Sequence, residues 1–93
     1  RGTFRNAVPL DLLADVLRRL ALEGSPAVAD SLLTKTLARR PGWAHLYELR
    51  AVSALRAGQC DRAEADFRAL LEFAIVRPDG PLRVEECRRG RAP

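Results

Sequence analysis

The sequence predicts an all-α fold, two antiparallel helix pairs packed on each other with a short C-terminal capping helix. Three observations carry this. Apolar residues recur at three- and four-residue spacing through four consecutive segments. Pro, Gly, Ser and Asp stand where those segments begin and end. The pattern of the first half also returns in the second at one constant offset.

The first helix is expected over residues 9–24, "PLDLLADVLRRLALEG". Pro9 suits a first-turn position and Gly24 the residue just past a helix end. Leu13, Val16, Leu17 and Leu20 form one apolar stripe. The second, over 25–42, opens on Ser25 as N-cap and Pro26 as first helical residue, and Pro41-Gly42 stops it. Ala29, Leu32, Leu33, Thr36 and Leu37 share its face. The third, over 43–58, carries Leu46, Tyr47, Ala51 and Ala54, and Gly58 ends it. The fourth, over 61–76, begins at Asp61 and Glu64, which have capping-box spacing. Its stripe is Ala63, Phe67, Leu70, Leu71, Ala74 and Ile75, with Phe67 as the knob between the third and fourth helices. Residues 77–93 start with a Pro-Asp-Gly-Pro turn, and Leu82 to Arg89 supply a short capping helix with Leu82, Val84 and Cys87 as its apolar content. The domain reading is therefore an N-terminal extension (1–8), two helix pairs (9–42 and 43–76) and a turn, cap and basic tail (77–93).

Gly24 recurs as Gly58, Ala29 as Ala63, Leu33 as Phe67, Leu37 as Leu71 and Leu12 as Leu46, all at the same offset. That offset, with two helices per unit, resembles the roughly 34-residue period of the tetratricopeptide repeat (TPR) family. The Gly-Ala-large-apolar arrangement occurs twice, as Gly24-Ala29-Leu33 and Gly58-Ala63-Phe67, and Pro41 stands where the family's closing proline belongs. Ile75 replaces that proline in the second repeat, Arg50 stands where leucine is usual, and Leu17 is large for the family's small site. The resemblance covers about residues 10–76 and implies a fragment of a right-handed α-solenoid. Generic helical hairpins are the alternative.

By the same resemblance, the first helix of each repeat lines a concave surface that binds a partner's peptide or helix. The residues it places there are Asp11, Ala14, Arg18, Ala21 and Leu22 from the first repeat, and His45, Glu48, Val52, Leu55 and Arg56 from the second. The candidate protein-binding residues are Asp11, Arg18, His45, Glu48, Val52, Leu55 and Arg56. The lysines and asparagines with which some members hold C-terminal carboxylates are absent from this face: Lys35 lies on a second helix and Asn6 precedes the first.

Charge and chemistry narrow the function classes. The net charge of +4 belongs to the ends, because residues 7–76 hold nine basic and nine acidic side chains. A nucleic-acid-binding body concentrates charge on a folded face. A helical nucleic-acid-associated domain using its basic tails is the alternative to a protein-interaction module. His45 is the only histidine, no CxxC occurs, and no nucleophile accompanies His45, Glu48 and Asp11. No enzyme activity, metal or cofactor is expected. Cys60 falls in a linker, and it and Cys87 are expected as reduced thiols of a cytoplasmic protein, with a disulfide as the alternative. No apolar run reaches the roughly 20 residues of a membrane span. The chain opens on Arg1 and has no Met, which predicts a piece of something longer. Two repeats are fewer than a solenoid usually needs, so packing on a longer chain or on a second copy is expected to complete the core.

Overall fold

The computed structural model describes residues 10–90. They form five helices: α1 Leu10–Glu23, α2 Pro26–Arg39, α3 His45–Arg56, α4 Cys60–Leu71 and α5 Asp79–Gly90, with no strand among the described residues. None is long and apolar enough to cross a membrane. Residues 1–9, with the N-terminal extension and the Pro9 helix start, and residues 91–93, with the tail's Arg91, lie outside the described residues.

Each helix packs on its neighbour in sequence, and α3 also meets α1 and α5. Named contacts give the directions. The Ser53 hydroxyl, near the end of α3, donates to the Pro26 carbonyl at the start of α2 (3.1 Å), so α3 runs back along α2. Phe73, just past α4, stacks on Tyr47 at the start of α3 with ring centroids 5.8 Å apart, so α4 runs back along α3. Arg62 on the first turn of α4 donates to Asp30 on the first turns of α2 (2.8 Å), so those two helices run parallel.

Two apolar clusters hold the stack. Leu17 and Ala21 of α1, Leu33 and Leu37 of α2, and Leu46 and Leu49 of α3 are buried together in one. In the other, Ala54, Ala63 and Val84 join α3, α4 and α5, with Leu55 and Phe67 packed against them. Ala29 and Ala63 are fully buried, as small residues at close helix approaches should be. One charged pair lies between the helices. Arg50 grips Asp66 with two 2.9 Å hydrogen bonds, and Asp66 is only 3% exposed. Arg50 also reaches Thr34 (3.0 Å), which ties α2, α3 and α4 together.

Helix ends follow local chemistry, with two departures from expectation. Ser25 caps α2, its hydroxyl accepting from the Val28 amide (3.4 Å), and Gly58 adopts φ 75° to end α3. The fourth helix, however, stops at Leu71 rather than 76. Ala74 takes the left-handed conformation (φ 60°), and the amides of Ile75 and Ala74 turn back to the Leu70 and Leu71 carbonyls. Gln59 and Gly58 bond Ala54 and Leu55 in the same way at the end of α3. This is a Schellman closure, which needs a left-handed residue and normally recruits Gly. At its start, Gln59 and not Asp61 is the N-cap, so the Asp61–Glu64 capping box does not form. Both carboxylates instead accept from Arg88 of α5, at 2.7 and 2.8 Å.

The stripes need three corrections. Val16 and Leu32 are exposed rather than part of the buried stripes of α1 and α2. Leu71 is 58% exposed; the α5 positions that correspond to Leu46 and Leu49, which share the Leu37 cluster, are Gly80 and Arg83. Phe67 is half-buried, packed on the second cluster and against Gly80 of α5, where an added Cβ would lie 3.1 Å from the ring, rather than held between α3 and α4 alone.

The cysteines also depart from expectation. Cys60 is the first residue of α4 rather than a linker, and it forms a disulfide with Cys87 near the end of α5. Both are buried, and the antiparallel run of α4 and α5 brings them together. The reduced-thiol expectation is therefore replaced by a cross-link.

Candidate functional site

The residues expected to line a concave face are largely engaged inside the chain. Arg56 at the end of α3 donates to the Ala21 carbonyl (2.8 Å), serving the last turn of α1, where exposed carbonyls favour a cation. Ala21 itself is fully buried and faces no groove. Glu48 receives two hydrogen bonds from Arg77 (2.9 and 3.1 Å) and lies 3.8 Å from His45. The Arg77 guanidinium holds the Glu48 carboxyl below its ordinary value. Leu55 packs on the second cluster, Val52 is half-buried, and Arg18 pairs with Asp15 on its own helix (3.1 Å). Asp11 belongs to α1, and its side chain lies outside the described ones. The structure thus joins His45 to Glu48 and Arg56 to α1, and it does not gather the seven residues into one surface.

A groove opens elsewhere. It has a volume of about 770 Å³ and runs between α4 and α5, closed at one end by the connection that holds Val76, Arg77 and Pro78. One wall is Glu64, Phe67, Arg68 and Leu71, and the other is Pro81, Val84, Glu85 and Arg88. Each wall is one helical stripe at spacings of three, one and three, so each helix gives a single face to the groove. The floor is apolar: Val84 is buried, Phe67 half-buried, and Leu71 and Val76 are 58% and 65% exposed. The rim is charged. Arg88 is held by Asp61 and Glu64, Arg68 by Glu64 (3.2 Å), and Arg77 by Glu48. Arg88 and then Arg68 hold the Glu64 carboxyl below its ordinary value, so it stays ionised near neutral pH.

An apolar floor with a mixed charged rim is the anatomy of a protein-binding surface. The wall residues carry no nucleophile–base pair, and among the described residues no group of three His, Cys, Asp or Glu is placed to hold a metal ion. Sequence reasoning missed this site, because the match of Leu71 to Leu37 and of Phe67 to Leu33 placed both residues in the core stripe. What the residues alone did not reveal is that the later pair borders a groove. Comparison with protein-family models, curated proteins and solved structures finds no match to this chain.

Proposed function

We propose that this chain is a protein-interaction module of TPR-like build that takes its partner in the groove between α4 and α5. The observation that carries the reading is the exposure of Leu71 and Val76 over buried Val84 in a continuous groove of about 770 Å³. Clustered apolar surface with a charged rim marks an interaction site far better than singly exposed leucines do. The TPR-like build is supported by the order of contacts, in which each helix meets the next and α3 meets both α1 and α5, while α2 and α4 touch through side chains.

Binding through the α1/α3 face is the weaker proposal, since Glu48 and Arg56 already serve the fold. The nucleic-acid alternative rests on the basic tails, of which Arg1, Arg5 and Arg91 lie outside the described residues; Arg77, Arg88 and Arg89 have carboxylate partners. The Cys60–Cys87 disulfide favours an oxidising compartment over the cytoplasm as the place of work.

The test is selection of peptides from a displayed library on the immobilised protein, followed by mapping. Selected ligands should lose at least tenfold in affinity with Leu71→Asp, about 1.4 kcal/mol, and keep it with Arg18→Ala. Ligands indifferent to Leu71→Asp but lost with Val52→Asp would move the site to the α1/α3 face and refute this reading.

A further inference from the structure

We infer that the occupant of the groove is a single amphipathic helix from a protein partner, lying parallel to α4 and antiparallel to α5, with an apolar residue over Val84. The inference rests on the groove reading above and deepens it.

The chain contains its own template for this occupant. Moving the α4 wall back by one repeat gives Asp30, Leu33, Thr34 and Leu37 on α2. Moving the α5 wall back by the same step gives Tyr47, Arg50, Ala51 and Ala54 on α3. This earlier surface is covered by a helix, and that helix is α4. Asp30 and Thr34 receive Arg62 at 2.8 and 3.1 Å, and Arg50 holds Asp66. Ala54 packs with Ala63, and Tyr47 stacks on Phe73. Burial differs along the two seats: Leu37 is 6% exposed, in the cluster that α2 shares with α1 and α3, whereas its counterpart Leu71 is 58% exposed. Among the described residues, no helix covers the second seat. The same chain thus shows what fits a surface of this shape and in which direction it runs.

The residues that differ between the two seats specify the occupant. Arg50 is replaced by Val84, so the position that α4 fills with Asp66 must be apolar in the occupant. A carboxylate there would be buried without a cation. Ala54 is replaced by Arg88, whose guanidinium already lies on Asp61 and Glu64, so the position corresponding to Ala63 must stay small. Tyr47 is replaced by Pro81, an apolar face on which an aromatic corresponding to Phe73 still packs. Asp30 is replaced by Glu64, which keeps an acid at the same place.

The probe is a helix-stabilised peptide of residues 59–74 with Cys60→Ser, made in two forms, with Asp66 and with Asp66→Leu. Stabilisation is needed because so short a helix is marginal alone in water. Binding to the oxidised full chain is read by fluorescence anisotropy. The Asp66→Leu peptide should bind saturably and at least tenfold more tightly than the Asp66 form, and Leu71→Asp in the protein, shown folded by circular dichroism, should abolish the difference. A spin label at the peptide's N-terminus should broaden amide signals near Cys60 and Cys87. A peptide that displaced α4 from its own seat would show the opposite preference, because Arg50 there requires Asp66. Absence of saturable binding, equal affinity of the two forms, or broadening centred on Val76 would overturn the inference. If library-selected ligands need Leu71 yet bind in extended form, the helical occupant is refuted while the groove stands.

Discussion

Reduction of the Cys60–Cys87 disulfide should uncouple α5 from the rest of the chain. The magnitude follows from the loop it closes. The cysteines are 27 residues apart, and cross-linking a loop of that length lowers the entropy of the unfolded chain by an amount worth about 3.5 kcal/mol at 25 °C. A domain of this size has a total stability of roughly 5–14 kcal/mol. The loss is therefore a quarter or more of the whole, and it lowers Tm by roughly 14–28 °C at about 4–8 °C per kcal/mol. Its local effect is larger than its share suggests. Val84 is α5's one member of the buried apolar clusters, and Gly80 gives only a backbone surface to Phe67. The rest of the attachment is Arg88 on Asp61 and Glu64, an exposed network worth little by itself. Urea unfolding followed by far-ultraviolet circular dichroism, with and without a thiol reductant, measures this. The double variant Cys60→Ala, Cys87→Ala should match the reduced protein and be indifferent to reductant. Helical signal should also fall ahead of the main transition as α5 melts first. A reduced protein within about 1 kcal/mol of the oxidised one, unfolding in a single step, would show that packing and not the cross-link holds α5.

Three further outcomes follow from single contacts. Asp66→Ala leaves the Arg50 guanidinium part-buried without its carboxylate and should cost about 3–5 kcal/mol, whereas Arg50→Met with Asp66→Leu should cost far less, both read from urea midpoints. Ala74→Gly relieves a left-handed alanine at the end of α4 and should raise stability by about 1 kcal/mol; a loss would mean the Ala74 methyl makes a contact that matters. Arg77 lowers the Glu48 pKa in the folded state. A lowered folded-state pKa gives stability that is complete above the ordinary carboxylate value and lost as pH falls through the folded one. Glu48→Gln should therefore flatten the acid limb of a stability profile from about pH 4.5 downward, and an unchanged limb would assign it to other carboxylates.

The parts of the fold legible in the sequence are those set by local chemistry. Ser25-Pro26 starts α2 because a hydroxyl acceptor and a fixed φ suit a first turn, and Gly58 ends α3 because only it takes φ 75° without strain. The end of α4 is not legible, since Ala74 does the same service with a residue that normally favours helix. Asp61 misleads for a related reason. Its spacing to Glu64 satisfies a capping box, yet Arg88, far along the chain on α5, offers both carboxylates a charged partner that an amide cannot match. The Arg50–Asp66 pair is not announced by the spacing of either stripe; it is a contact between helices in which a part-buried cation meets a buried acid. The groove is illegible because Leu37 and Leu71 are the same residue in the same register; what separates them is the facing helix, which offers Leu46 and Leu49 to the Leu37 cluster and Gly80 and Arg83 at the corresponding places on α5.

The two disulfide residues stand at the same sequence offset from another contacting pair. Pro26 and Ser53, which tie the start of α2 to the end of α3, have the same separation as the cysteines, and one repeat later these positions are Cys60 and Cys87. One joint is thus made twice, first by a hydrogen bond to a carbonyl and then by a covalent bond. The difference matches what surrounds each. The first joint sits beside a cluster built from seven buried residues of three helices, while the second sits beside three buried residues and an α5 rich in charge. A hydrogen bond worth about 1 kcal/mol suffices where packing is dense, and a cross-link worth several times more stands where it is thin. That has a consequence for binding. The α5 wall is fixed at one end by the disulfide and at the other by Gly80 against Phe67, so a partner need not order it. A wall held in place before the partner arrives removes an ordering cost from association. Reduction should therefore weaken any ligand of the groove more than one of the α1/α3 face. Equal loss at both faces would mean that the chain loosens as a whole.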